Sequence, residues 1–185
     1  IRGGGEWFSS HPPFSTCLTH DMQIDREEKE LLAAMRDSTR RNIKKAQKKG
    51  LVAEHATSIH ALRDFYRMHC LTRRDHGLPP QPWHFFENIY RYILQPQHGF
   101  ITTAKTNGRA VAANIFFIYR HKALYKYGAS DRNYQHLRPS NYDMWKGIVE
   151  CRNKGCTELN LGRTEKYNTG LAHFKRGFDC TERTV

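Results

Sequence analysis

The residues best equipped for chemistry lie between Ala123 and Phe178. Tyr125, Tyr127 and Ser130 come first, then Asn141, then Asn160, Gly162 and Arg163, then Phe174 and Lys175. They gather hydroxyl, amide and cationic groups at the ends of strand-like runs. Such a set suits holding an anionic group and stabilising an oxyanion, and it suits nucleophilic catalysis poorly. Arg163 offers a guanidinium that can fork onto a phosphate or carboxylate. Asn141, near a helix start, reads equally well as a cap, and Asp131 and Asp143 have weak claims as bases. Other chemistries find no support: CxxC, HExxH, a Walker loop, GxGxxG and Gly-x-Ser-x-Gly are all missing. Cys151 and Cys156 are five residues apart, off a shared helix face, so no zinc site is expected.

The elements that must position these residues read strand, helix, strand, loop, short helix. Residues 123–130 alternate as a strand, with Tyr125 and Tyr127 expected on one face. Pro139 opens a helix through Trp145 and Ile148 to Lys154, and Gly155 stops it. Residues 159–163 form a second strand, and 170–178 a short helix. That order makes a βαβ crossover. Ligands of open α/β sheets sit at the carboxyl ends of strands, which selects Ser130 and Gly162–Arg163.

Upstream, Phe14–His20 reads as an edge strand. Asp25 is the expected N-cap of one long helix to Lys49, with Leu32, Met35, Thr39, Ile43 and Ala46 as its buried stripe. Its second half carries seven cations in fourteen residues, Arg40, Arg41, Lys44 and Lys45 among them, opposed only by Asp37. The run reads either as a solvated face or as an anion-docking face for phosphates or anionic lipid. A strand at 51–55, a helix at 58–71, a loop at 72–80 and an aromatic helix at 83–94 follow. Residues 100–106 and 109–119 flank Asn107-Gly108, the strongest short hairpin signal, and 111–118 is apolar on both faces, hence central. The expected class is α/β with α+β character: a mixed, mostly antiparallel sheet, a carboxy-terminal βαβ unit and helices on both faces.

The chain has 185 residues, enough for one domain, and a net charge of +12 that calls for an anionic partner. Its five cysteines are scattered and odd in number, as in reduced, cytoplasmic proteins. No apolar run reaches the ~18 residues of a transmembrane helix. The Gly-rich start reads as a linker over 1–13 ahead of one domain over 14–185.

Ser38-Thr39-Arg40-Arg41-Asn42-Ile43-Lys44-Lys45-Ala46-Gln47-Lys48-Lys49-Gly50 resembles the basic helix of the Fem-like branch of the GNAT superfamily of N-acyltransferases. Tyr127-Gly128-Ala129-Ser130, Leu137-Arg138-Pro139-Ser140-Asn141 with Trp145, Gly155, Asn160-Leu161-Gly162-Arg163, Gly170-Leu171 and Phe174-Lys175 are similar to the same branch in the same order. The resemblance covers about three quarters of the chain. It implies a GNAT-type fold and acyl transfer to an amine by direct attack, with cell-envelope precursors or exported polysaccharide as acceptors. It also implies a cytoplasmic setting with peripheral contact at the inner membrane. Fem-type proteins carry two such units and this chain has room for one, which fits either part of a longer protein or a single-unit relative. Lys175 stands where the family's Phe-Lys pair would, implying contact with the acyl carbonyl or a donor phosphate; the bland counterpart is an exposed lysine on a short helix. Tyr125 and Tyr127 would line the acyl slot or relay a proton, although core packing is the readier fate for one of them. The family's Gln/Arg-x-x-Gly-x-Gly/Ala pyrophosphate loop is absent: Tyr125 holds its first position and Ser130 its last. Of the two donors the resemblance implies, acyl-CoA and aminoacyl-tRNA, this departure counts against coenzyme A, which is expected to bind weakly, and leaves aminoacyl-tRNA open; no metal is implied. The rival reading is a non-enzymatic module of the same fold that binds RNA or an anionic envelope component. The two part on whether the strands of Tyr127 and Leu161 splay to admit a donor.

Overall fold

A computed structural model describes residues 16–185; the expected linker at 1–13 and the first residues of the expected strand at 14–15 lie outside them. Strands β1 (Cys17–Gln23), β2 (Val52–Ala56), β3 (Gly99–Thr106), β4 (Arg109–Tyr119), β5 (Lys122–Ser130), β6 (Glu158–Glu165) and β7 (Thr181–Thr184) form one sheet in the order β2-β3-β4-β5-β6-β1-β7. All neighbouring pairs are antiparallel except β5–β6. Helices α1 (Glu28–Ala34), α2 (Asp37–Lys48), α3 (Ile59–Asp75), α4 (Trp83–Ile89), α5 (Pro139–Asn153) and α6 (Thr169–Arg176) cover it, with a π-helical turn at Tyr90–Leu94 and a 3-10 turn at Arg132–Leu137. One core joins Met35, Ile43 and Ala46 of α1–α2 and Trp145 and Ile148 of α5 to Phe100 and Phe116. The other packs Leu62, Phe65 and Phe86 of α3–α4 on Ile101 and Ile115. Alternate residues of β3 and β4 thus feed cores on opposite faces, as a fully covered central strand requires.

The β3–β4 hairpin turns at Asn107–Gly108, and the βαβ unit β5–α5–β6 forms as expected. Four local expectations are corrected. β1 is not an edge: it lies between β6 and β7, and β7 carries too few apolar residues to announce itself. The long helix is two. Met35 and Arg36 are extended because α6 intrudes there: Arg36 N donates to Gly177 O (3.1 Å) and its guanidinium to His173 O (2.8 Å). Asp25 is not the cap; Glu27 is, in a capping box with Glu30. Residues 72–75 continue α3 instead of opening the loop, and basic Arg73 and Arg74 suit the last turn of a helix.

The fifth correction concerns the site. Tyr125 and Tyr127 do not share a face. Tyr125 pairs with Phe116 and Tyr127 with Ile115, so Lys126 is an extra residue and β5 bulges. The bulge resets the alternation, sending Tyr125 to the α5 core and Tyr127 to the α3–α4 core.

Candidate functional site

β5 and β6 pair only at Lys122–Glu158, Ala123–Leu159 and Leu124–Asn160. Beyond these their facing edges carry no ladder, although Gly162 still lies close to Tyr125 O, which an added Cβ would meet at 3.0 Å. The end of the ladder is the point at which an acyl-transfer groove and a closed sheet would differ.

The β6 wall of the gap is built around Gly162. Its φ of +75° belongs to the left-handed region that favours glycine. The register of β6 against β1 jumps there: Thr19 faces Arg163 and Asp21 faces Asn160, leaving His20 opposite Leu161–Gly162. Side chains replace the missing ladder. Gly162 N donates to Asn160 Oδ1 (2.8 Å), while Asn160 Nδ2 donates to Thr19 Oγ1 (2.8 Å) and Asp21 Oδ1 (2.6 Å). From α6, Lys175 Nζ donates to Gly162 O (2.9 Å), Arg163 O (3.0 Å) and Thr164 Oγ1 (2.9 Å).

Lys175 is therefore not an exposed lysine; it is 2% exposed, and three acceptors take the three hydrogens of its ammonium. Burial lowers its pKa to about 8. Asn160 likewise spends its amide inside the wall. Phe174 packs edge-on against Phe178 (5.1 Å) at the core margin. The guanidinium of Arg163 is exposed.

On the β5 wall, Ser130 is tied through its backbone to Thr72 Oγ1 of α3. Tyr127 lines a cleft of about 360 Å³ with Phe85, Ile89, Ile93, Phe117 and Lys126. Tyr125 tucks its hydroxyl against Gly128, where a Cβ would overlap it. Burial raises the pKa of both tyrosines, and Asp143 raises that of Tyr125 further. Beyond Ser130, the 3-10 turn leads through Arg138 to α5, whose N-terminus has no side-chain cap. Asn141 sits in that first turn but does not cap it. An uncapped N-terminus beside exposed Arg138 suits a donor's anionic group without a glycine loop.

The two carboxylates considered as bases have other duties. Asp131 caps the 3-10 turn at Asn133 N (3.1 Å). Asp143 is fully buried; Thr102 Oγ1 donates to its Oδ2 (3.0 Å), and its Oδ1 has no partner among the described residues. Burial raises its pKa well above the usual carboxylate range, which favours its protonated form. A raised folded pKa stabilises fully below the unfolded value, and the contribution is lost as pH rises through the folded value. Wild type should therefore gain stability relative to Asp143→Asn as pH falls from 8 to 5, read from urea midpoints at each pH. A constant difference would show an ionised Asp143.

Among the described residues no cluster of His, Cys, Asp and Glu is set to hold a metal ion, and no helix is long and apolar enough to cross a membrane.

Residues 33–176 match the model of the acetyltransferase (GNAT) domain family. The chain belongs to this family. No protein of curated function matches the sequence. Among solved structures the fold is similar to FemX (TM-score 0.81, 16% identity), covering 89% of this chain and 59% of that one. It is also similar to the C-terminal domain of a putative lysylphosphatidylglycerol synthetase from Agrobacterium fabrum (0.66, 15%; 91% and 58%). A third is the ribosomal-protein-S18-alanine N-acetyltransferase from Escherichia coli (0.54, 17%; 68% and 74%). The chain thus spans under two thirds of the first two.

The basic run on α2 divides in two. Arg40 is engaged by Asp37 and Ala33 O, and Arg36 by α6. Arg41, Lys44, Lys45, Lys48 and Lys49 are exposed and have no ion pair among the described residues. Neither the break in the helix nor the burial of Lys175 had a local signal; both depend on where α6 docks.

Proposed function

We propose that this GNAT domain moves an acyl or aminoacyl group onto an amine of a cell-envelope or polysaccharide precursor by direct attack. The end of the β5–β6 ladder after Leu124 and Asn160 carries the reading. It leaves unpaired backbone between two walls, both of them bulged, where an acyl group can lie. The attacking amine must be neutral; its addition creates an oxyanion, and collapse expels the donor's leaving group. Lys175 serves by holding the carbonyls of Gly162 and Arg163 on the β6 wall, with its positive charge next to the gap. Arg163, Arg138 and the α5 N-terminus receive the donor's phosphates, and Tyr127 lines the acceptor side. Likeness to FemX and to a lipid-modifying synthetase domain favours an envelope acceptor, with action in the cytoplasm and contact at the inner membrane.

Calorimetric titration with coenzyme A, acetyl-CoA and aminoacyl-tRNA in turn tests the donor. A micromolar dissociation constant for acetyl-CoA selects acyl-CoA, and saturable binding of aminoacyl-tRNA alone selects the other donor. Failure of all three to bind contradicts the reading.

The free cations of α2 supply the docking face for an anionic donor carrier or membrane surface. Replacing Arg41, Lys44, Lys45 and Lys48 together by Gln should weaken binding to RNA or anionic vesicles. For RNA it should lower the slope of log affinity against log salt by about three. Stability should change by less than about 0.5 kcal/mol per site, since these side chains are solvated. An unchanged salt slope and unchanged vesicle binding would leave α2 a solvated face.

A further inference from the structure

Beneath α6 lies a second set of titratable side chains, on the far side of the Gly162 bulge from the gap. His20 of β1 is completely buried and stands opposite Leu161–Gly162. Its Nε2 meets Glu182 Oε2 of β7 at 3.0 Å. Glu182 is in turn gripped by Arg176, whose Nε and Nη2 donate to its two oxygens at 2.8 and 2.9 Å. The other ring nitrogen, Nδ1, is buried and has no partner among the described residues. A buried imidazole with one nitrogen fixed by a carboxylate and the other open is a group placed to change its proton. Its surroundings are the Lys175 ammonium, the Gly162 backbone, Glu182 and, through space, Asp21. The Cys180 thiol donates to Lys175 O (3.2 Å) and completes the layer.

We propose that His20 is a positioning residue for Lys175: its proton decides whether the Lys175 ammonium stays seated on Gly162, Arg163 and Thr164. The inference rests on the reading that Lys175 supports acyl transfer. While His20 is neutral, Lys175 is the single cation pressed on the bulge and keeps all three acceptors. When His20 takes a proton on Nδ1, a second cation appears under the same bulge, beside the Gly162 backbone whose carbonyl Lys175 already engages. Two donors then compete for one carbonyl, and like charges repel in a site with little water to screen them. Glu182 offsets only part of this, since Arg176 already occupies both its oxygens. The ammonium loses its grip, the β6 wall slackens, and transfer slows. Burial and Lys175 both hold His20 neutral near pH 7, so the switch operates on the acid side.

Two measurements test this, the first without substrate. In an NMR titration of the intact chain, the Lys175 side-chain signal, identified by its loss in Lys175→Met, should move mainly near pH 8. A second, smaller inflection should appear as His20 protonates, and should vanish in His20→Gln, which keeps a neutral hydrogen-bonding side chain beside Glu182. In Lys175→Met the His20 ring should titrate at higher pH, freed from its neighbour. Absence of the inflection, with an unmoved His20 titration, overturns the coupling. The second measurement is the pH–rate profile with whichever donor turns over. Protonation of the acceptor amine gives both proteins an acid limb; below the His20 titration wild type should fall about a further tenfold per pH unit, and His20→Gln should lose that added steepness while keeping the break near pH 8. An acid limb equally steep in His20→Gln and wild type overturns the positioning role even if the coupling is seen. Should His20→Gln not fold, Glu182→Gln replaces it: the limb should shift to lower pH, and an unmoved limb overturns the proposal. Full turnover in Lys175→Met would instead defeat the reading of Lys175, a failure distinct from both.

Discussion

Lys175→Met should turn over about 10²-fold more slowly than wild type, the order of loss when a wall of the site shifts by about 1 Å, since the carbonyls of Gly162 and Arg163 lose the ammonium that holds them. The variant should also lose on the order of 1–3 kcal/mol of stability, because buried acceptors are left without a donor. The sequence alone predicts a different pairing of effects: an exposed lysine would change neither property, and a purely catalytic one would change rate alone. Burial at 2% exposure and three hydrogen bonds couple the two. Lys175→Arg should not rescue activity, since a planar guanidinium cannot reproduce three contacts converging on one compact ammonium. Turnover per folded molecule, with the folded fraction taken from denaturant curves, separates rate from stability. Wild-type turnover in the Met variant would remove Lys175 from the mechanism and transfer its role to Arg163 and Tyr127.

Gly128→Ala should destabilise the domain by about 1–3 kcal/mol, the range for overpacking a full interior. The new Cβ would overlap the Tyr125 hydroxyl and come within 2.8 Å of Asn114 Oδ1. Tyr125 cannot swing clear, being packed against Phe116 at 5.7 Å. Tyr125→Phe in the same chain removes the clashing oxygen and should recover more than half the loss. This double-mutant comparison isolates the contact. Equal losses with and without the hydroxyl would mean that the backbone at Gly128, not Tyr125, resents the substitution.

Much of this architecture is legible in one sequence because it is locally encoded. Asn107-Gly108 marks the β3–β4 hairpin, Pro139 and Gly155 bracket α5, and the apolar run 111–118 marks a central strand. The positions of Ser130, Gly162 and Arg163 follow from the βαβ rule once those elements are set. What escaped depends on long-range contacts. The Lys126 bulge separates Tyr125 from Tyr127, and no residue in β5 announces it. Arg36 breaks the first helix because it reaches α6, more than a hundred residues away. Lys175 looks like a surface lysine until β6 is folded under it. His20 has no signal in the sequence and Asp143 reads there as a weak candidate base; only burial reveals that one holds an open nitrogen and the other a carboxyl pushed toward its protonated form.

The central claim is that the donor enters between β5 and β6. Amide chemical-shift mapping tests it directly, with acetyl-CoA and aminoacyl-tRNA added separately to the intact chain. The account predicts that the donor that binds perturbs residues 125–130 and 160–164 together, with the first turn of α5. Shifts confined to the outer face of α2 or to the Phe85 cleft, with both strands unmoved at saturation, would contradict it.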